Sequence, residues 1–124
     1  MVFRALGDGV PTWLTINEMP TIVGLGYGNG THAPGSVDHE AGQVALHHLM
    51  LGDGLAVQAL RATGLKARIG PAQNFTAVYP ADDSDGARQA AARTDLTENR
   101  LYLEPILRGE YHRTRSPRST SRTG

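Results

Sequence analysis

Apolar and polar positions alternate between two periods along the chain, and the changes of period mark its elements. Residues 12–17, TWLTIN, form a short run of aromatic, β-branched and aliphatic side chains that predicts a strand from Thr12 to Asn17. Met19-Pro20 closes that run, and the glycine-rich stretch GLGYGNGTHAPG (24–35) reads as a long loop. A helix is predicted to start near Asp38, a suitable N-cap, and to stop at Gly64. Its expected buried stripe is Val44, Ala45, Leu46, Leu49, Leu51, Leu55, Ala56, Ala59 and Leu60. Gly52 and Gly54 weaken it, each by about 1 kcal/mol relative to Ala. A second strand is expected over Ala67 to Asn74, although Pro71 cannot donate to a ladder. Asp82-Asp83-Ser84-Asp85 offers N-caps for another helix over about Asp85 to Leu103. Pro105 is expected to end or kink it, and Gly109 to end the next turn.

Strand, loop, helix, strand, loop, helix is the order of an α/β fold, with parallel strands joined by helical crossovers. In such folds function collects at the carboxyl ends of the strands. Asn17, Glu18 and Asn74 stand at those ends. A charge is costly in a core unless it is paired or lies at an opening. Glu18 is therefore either a loop residue after a strand that stops at Ile16, or part of a working site. Asn74 is likewise either a polar residue leaving a strand or a ligand contact.

Composition narrows the chemistry. The 124 residues suit one small domain, and 12 basic residues balance 12 acidic ones. With no net charge, nothing draws the whole chain to nucleic acid or to an anionic membrane. Without cysteine there is no disulfide, thiol nucleophile or thiolate metal site. The opening MVFRALGDG lacks an apolar run of signal-peptide length, and no segment reaches the roughly 18 apolar residues of a membrane helix. A soluble, cytoplasmic protein is the expectation, so the sequons Asn29-Gly-Thr31 and Asn74-Phe-Thr76 should stay unmodified.

His32, His39, His47 and His48 form no H-E-x-x-H pattern, so no metal site is expected. His47 and His48 lie about 100° apart on their helix, which suits one partly buried ring and one at an interface. His32 is expected to shape the loop after the first strand. Gly24 and Gly26 would need a third glycine at 29 to bind a dinucleotide, and that residue is Asn29. Setting Gly86 as the sixth residue of an EF-hand puts Ala81 first and Ala92 last, where carboxylates are required.

Five collinear stretches together resemble family 1 glycoside hydrolases, specifically bacterial β-glucosidases. They are TINE (15–18), GYGNGTHAPG (26–35), ALHHLMLGDGLAVQALRATG (45–64), NFTAVYPADDS (74–84) and YLEPILRGEY (102–111). The resemblance runs from about Ala5 to Tyr111. It implies a (β/α)8 barrel of which this chain holds the fourth and fifth βα units, since a whole barrel takes about 250 residues. In that family a pattern like T-x-N-E-P ends the fourth strand. It implies Glu18 as general acid/base and Asn17 as hydrogen-bond partner of the sugar 2-hydroxyl. Met19 stands where the family usually has proline, and Pro20 follows. Asn74 is implied near the leaving-group side of the sugar.

The family's nucleophile is a second Glu in a T-E-N-G pattern. Thr97-Glu98-Asn99-Arg100 matches three of those letters but lies within a predicted helix, so Glu98 is expected on a helix surface. The resemblance thus implies a retaining β-glucosidase without metal or cofactor, acting on a β-glucoside or small β-linked oligosaccharide. It also implies that this stretch alone is inactive. Residues 1–112 are expected to form the partial barrel. Residues 113–124, RTRSPRSTSRTG, hold four Arg and no large apolar side chain, and are expected to be a disordered tail from a truncated or frame-shifted reading of a longer gene. Two strands with open edges imply self-association. The competing readings are a non-catalytic α/β module that binds a sugar or a partner, and a gene remnant with no function.

Overall fold

The computed structural model describes residues 2–111. A short helix, α1 (Val2–Leu6), precedes strand β1 (Thr12–Asn17). Helix α2 (Met19–Val23) begins right after the strand and widens into a π-helical turn, Gly24–Gly28. The long helix α3 (His39–Arg61) leads to strand β2 (Arg68–Ala72). Helix α4 (Asp85–Asp95), a second π-helical turn (Leu96–Arg100) and α5 (Leu101–Arg108) complete the order. β1 and β2 pair in parallel, with α3 as the crossover, so the expected α/β arrangement is present as a two-stranded part. The tail expected over 113–124 lies outside the described residues.

Local signals account for most boundaries. Asp38 caps α3 by accepting the Ala41 N–H at 2.9 Å, and Ser84 caps α4 by accepting that of Ala87 at 3.1 Å. Gly109, in the left-handed region at φ 72°, closes α5 as a glycine C-cap does. The second strand is shorter than expected, Arg68–Ala72, and Pro71 is tolerated in it because a two-stranded sheet has only edge strands.

Two expectations about the extent of the helices are corrected. Residues 24–28 of the loop expected over 24–35 continue α2, whose start tolerates Pro20 because a missing N–H costs nothing in the first helical turn. The rest of the loop folds back so closely that a Cβ on Gly26 would lie 2.8 Å from the Ala33 carbonyl oxygen. The helix expected over 85–103 is interrupted by the second π-turn and then continues past Pro105 to Arg108. Pro105 is only the fifth residue of α5, near the start of the regular helix that follows the widened turn, and does not end it.

The core is small. Met19, Leu46, Met50 and Tyr102 form its buried centre, with Ile16, Val23, Leu49, Leu101 and Ile106 packed around them. Leu60 is buried apart from this group. The stripe on α3 is narrower than its sequence implies: Gly42, Leu46, Met50, Asp53 and Leu60 are buried, whereas Val44, Leu51 and Leu55 are exposed. Residues 42, 46, 50, 53 and 60 repeat every three, four or seven positions and share one face, and among the described residues nothing covers the flanks. Both His47 and His48 are exposed, which corrects the expectation of one partly buried ring. His47 Nδ1 lies 2.6 Å from the Tyr111 hydroxyl, and His48 Nδ1 is 2.8 Å from the Val44 carbonyl one turn earlier. Among the described residues no helix is long and apolar enough to cross a membrane.

Candidate active site

The end of β1 is set by a bulge. Leu14 pairs with Gly70 and Asn17 with Ala72, so three steps on β1 match two on β2. One extra residue on a strand shifts its alternation by one position. The burial follows that shift: Trp13 and Thr15 are half-buried and Leu14 is exposed, then Ile16 is half-buried and Asn17 is exposed. Thr15 donates to the buried Asp53 of α3 at 2.5 Å, while its neighbour Ile16 packs on the core. A regular pleat would have placed Asn17 on the face of Trp13 and Thr15. The bulge instead moves Asn17 to the open face it shares with Leu14.

Glu18 follows, at φ 45° and ψ 64°, and it alone among the described non-glycine residues has a positive φ. A non-glycine residue held in that region costs about 1–3 kcal/mol and persists only where its surroundings hold it. The strand ends hold it here. The Glu18 N–H donates to the Ala72 carbonyl at 2.7 Å, and the Met19 N–H donates to Gln73 Oε1 at 3.0 Å. The Glu18 carbonyl accepts the N–H groups of Thr21 and Ile22. Its half-buried carboxylate accepts the Thr21 hydroxyl at 3.0 Å on Oε2 and makes no hydrogen bond to the backbone of α2. The site thus offers a carboxyl group in a fixed backbone frame, beside an amide, at the carboxyl end of a parallel strand.

Asn74 lies two residues beyond Ala72, the partner of Asn17, and is exposed. The loop it opens is clamped by Asn99, a residue that no sequence pattern singled out for this purpose. The buried Asn99 side chain accepts the Thr76 N–H at 2.9 Å and donates to the Thr76 carbonyl at 2.8 Å, as a strand partner would, and donates to Asp95 at 2.8 Å. Asn99→Leu leaves both Thr76 groups without their partner. Thr76 is exposed, so water can take the place of the amide, but at about 0.5–1.5 kcal/mol for each of the two hydrogen bonds lost the change is expected to speed proteolysis of the 74–80 segment roughly ten- to hundredfold. Unchanged cleavage would remove the clamp. Glu98, beside it in the π-turn, is exposed as expected of a surface residue. Its charge adds to the effect of burial in raising the Tyr102 phenol above its usual range.

Gln73 and Asp53 also escaped the sequence reading. A glutamine at a strand end and an aspartate between two helix glycines carry no local signal of what they bind. Among the described residues no three His, Asp or Glu side chains gather to hold a metal ion.

Comparison with known proteins gives this geometry a context. The model of glycosyl hydrolase family 1 matches residues 1–123, and so extends past Tyr111, where the resemblance was expected to stop. β-Glucosidase A of Acetivibrio thermocellus is 38% identical over 111 residues, which are 90% of this chain and 25% of that protein. Among solved structures, virulence factor SghA from Agrobacterium tumefaciens aligns at TM-score 0.82 and 36% identity, over 90% of this chain and 25% of its own. A β-glucosidase from Thermotoga maritima in complex with deoxynojirimycin aligns at TM-score 0.81 and 32% identity, over the same shares. The chain spans about a quarter of the length of these relatives. With the family model matching nearly all of its residues, the chain belongs to glycosyl hydrolase family 1.

Proposed function

We propose that this chain carries the acid/base half of a retaining β-glucosidase site, as the fourth and fifth βα units of a (β/α)8 barrel. The observation that carries the reading is Glu18, held in the left-handed region at the carboxyl end of β1 and directly after Asn17. In the first half of the reaction the protonated Glu18 carboxyl gives its proton to the glycosidic oxygen as the bond to the anomeric carbon breaks. A second carboxylate attacks that carbon and forms a glycosyl-enzyme ester. In the second half the Glu18 carboxylate takes a proton from water as the water displaces the ester. Asn17 holds the sugar 2-hydroxyl, and Asn74 stands on the leaving-group side. The substrate class is a β-glucoside or a small β-linked oligosaccharide, in keeping with the substrate analogue salicin bound by SghA. No metal or cofactor takes part.

The two carboxyls of a retaining site stand about 5–5.5 Å apart. Glu98 does not supply the second: its place in an exposed helical turn is unlike the strand-end frame of Glu18. The purified chain is therefore expected to release nitrophenol from a nitrophenyl β-glucoside no faster than buffer, with Glu18→Gln giving the same trace. Turnover abolished by that substitution would show that the chain holds both carboxyls. The role of Glu18 itself is tested by grafting residues 5–111 into a full-length relative and measuring how the rate depends on the leaving group.

A further inference from the structure

We infer that Gln73 is a positioning residue for Glu18, acting as a cap supplied from the neighbouring strand end to the helix that begins at Met19. The inference rests on the acid/base reading of Glu18.

A helix start leaves its first N–H groups without partners inside the helix. In α2 the account is short. Pro20 has no N–H, and those of Thr21 and Ile22 go to the Glu18 carbonyl. The Met19 N–H remains. Met19 is 0% exposed, so water does not serve it, and Gln73 Oε1 at 3.0 Å does. The T-x-N-E-P pattern that this segment resembles puts proline after the Glu, and proline has no donor to satisfy. Met19 introduces one, and Gln73 is the acceptor that answers it.

The consequence falls on Glu18, which occupies the N-cap position of α2. An N-cap side chain ordinarily accepts the N–H of the second or third helical residue, but here those are Pro20, which has none, and Thr21, whose N–H goes to the Glu18 carbonyl. With Gln73 on the Met19 N–H, no donor of the helix start is left to draw the Glu18 side chain back, and among the described residues its carboxylate bonds to the Thr21 hydroxyl. Ala72, the last residue of the far strand, and Gln73, the next along the chain, thus take the N–H groups of Glu18 and Met19, also consecutive. Losing the second acceptor leaves a buried N–H unpaired. The simplest relief is for Glu18 to leave the left-handed region and bring its own carboxylate onto the helix start, away from the substrate.

The test compares Gln73→Met, close in size and without an acceptor, with Gln73→Glu, which keeps one. In the full chain, amide hydrogen exchange at Met19 is expected to rise at least tenfold relative to Leu46 and Leu60 in Gln73→Met only. The Glu18 Cα and Cβ shifts should leave left-handed values in the same variant. In a family barrel carrying residues 5–111, Gln73→Met should cut kcat/KM at least tenfold for poor leaving groups and little for good ones, and Gln73→Glu should restore it. Unchanged Met19 exchange and Glu18 shifts in Gln73→Met overturn the inference. So does a rise shared by Met19, Leu46 and Leu60 in both variants, since that marks support of the fold and no more. The expected exchange with kinetics indifferent to the leaving group would uphold the cap and overturn the acid/base reading instead.

Discussion

Glu18→Ala, in a full-length family barrel carrying residues 5–111, is expected to lower kcat about 10²–10⁴-fold for glucosides with poor leaving groups. For a nitrophenolate, which departs without a proton, the glycosylation step should change far less. The asymmetry follows from the role. A general acid contributes only as much as the leaving oxygen needs protonation, and an alkoxide needs it most. Deglycosylation also slows, because water loses its base, so good substrates should accumulate the glycosyl-enzyme and show a burst. Rates of aryl glucosides that span leaving-group basicity, with pre-steady-state traces, decide the matter. Equal loss for all leaving groups would argue for a structural role, and no loss would place Glu18 outside the site. Asn17→Ala should act differently, losing rate on every glucoside but little on a 2-deoxy sugar, which has no hydroxyl for it to hold.

The second large effect concerns the chain by itself. Among the described residues its two strands pair only with each other, which leaves both sheet edges open. Leu14 is 68% exposed on β1, and Tyr79 is 82% exposed in the loop after β2. Phe75, Val37 and Leu107 are exposed as well. In a closed barrel the inward residues of each strand meet side chains from other strands, and closure removes the edges. Here they meet water, and a net charge of zero supplies no repulsion between copies. Purified chain is expected to bind a hydrophobic dye and to sediment as dimers or larger species whose share grows with concentration. Leu14→Lys puts a charge on the open face and should shift the distribution towards monomer and reduce dye binding. A monomer at every concentration, with Leu14 in place, would refute this.

What was legible in the sequence was local. The bounds of β1 at Thr12 and Asn17 followed from a β-branched and aromatic run with a proline after it. The starts of α3 and α4 followed from Asp38 and from the acidic cluster around Ser84, because an N-cap acts within three residues of itself. The family was legible for the same reason, since its motifs are contiguous words, and Glu18 and Asn17 belong to one of them. Where local rules competed, the reading slipped. The glycines after Val23 suggested a loop, but the helix begun at Met19 carried through Gly28.

The frame around the site was decided only by the tertiary structure. Thr15 meets Asp53 across 38 residues of chain, Met19 meets Gln73 across 54, and Thr76 meets Asn99 across 23. None of these pairs follows a period, because each joins groups whose only relation is that folding leaves them facing one another with hydrogen-bonding capacity to satisfy. The bulge that turns Asn17 to the open face is of the same kind. It depends on the offset between two strands that a 23-residue helix separates, so no inspection of TWLTIN alone reveals it. By itself the sequence determined the family and the motif that holds Asn17 and Glu18, and it did so through local words. Their backbone frame, and which side they face, came from long-range hydrogen bonds and strand register, which exist only once the chain has closed on itself.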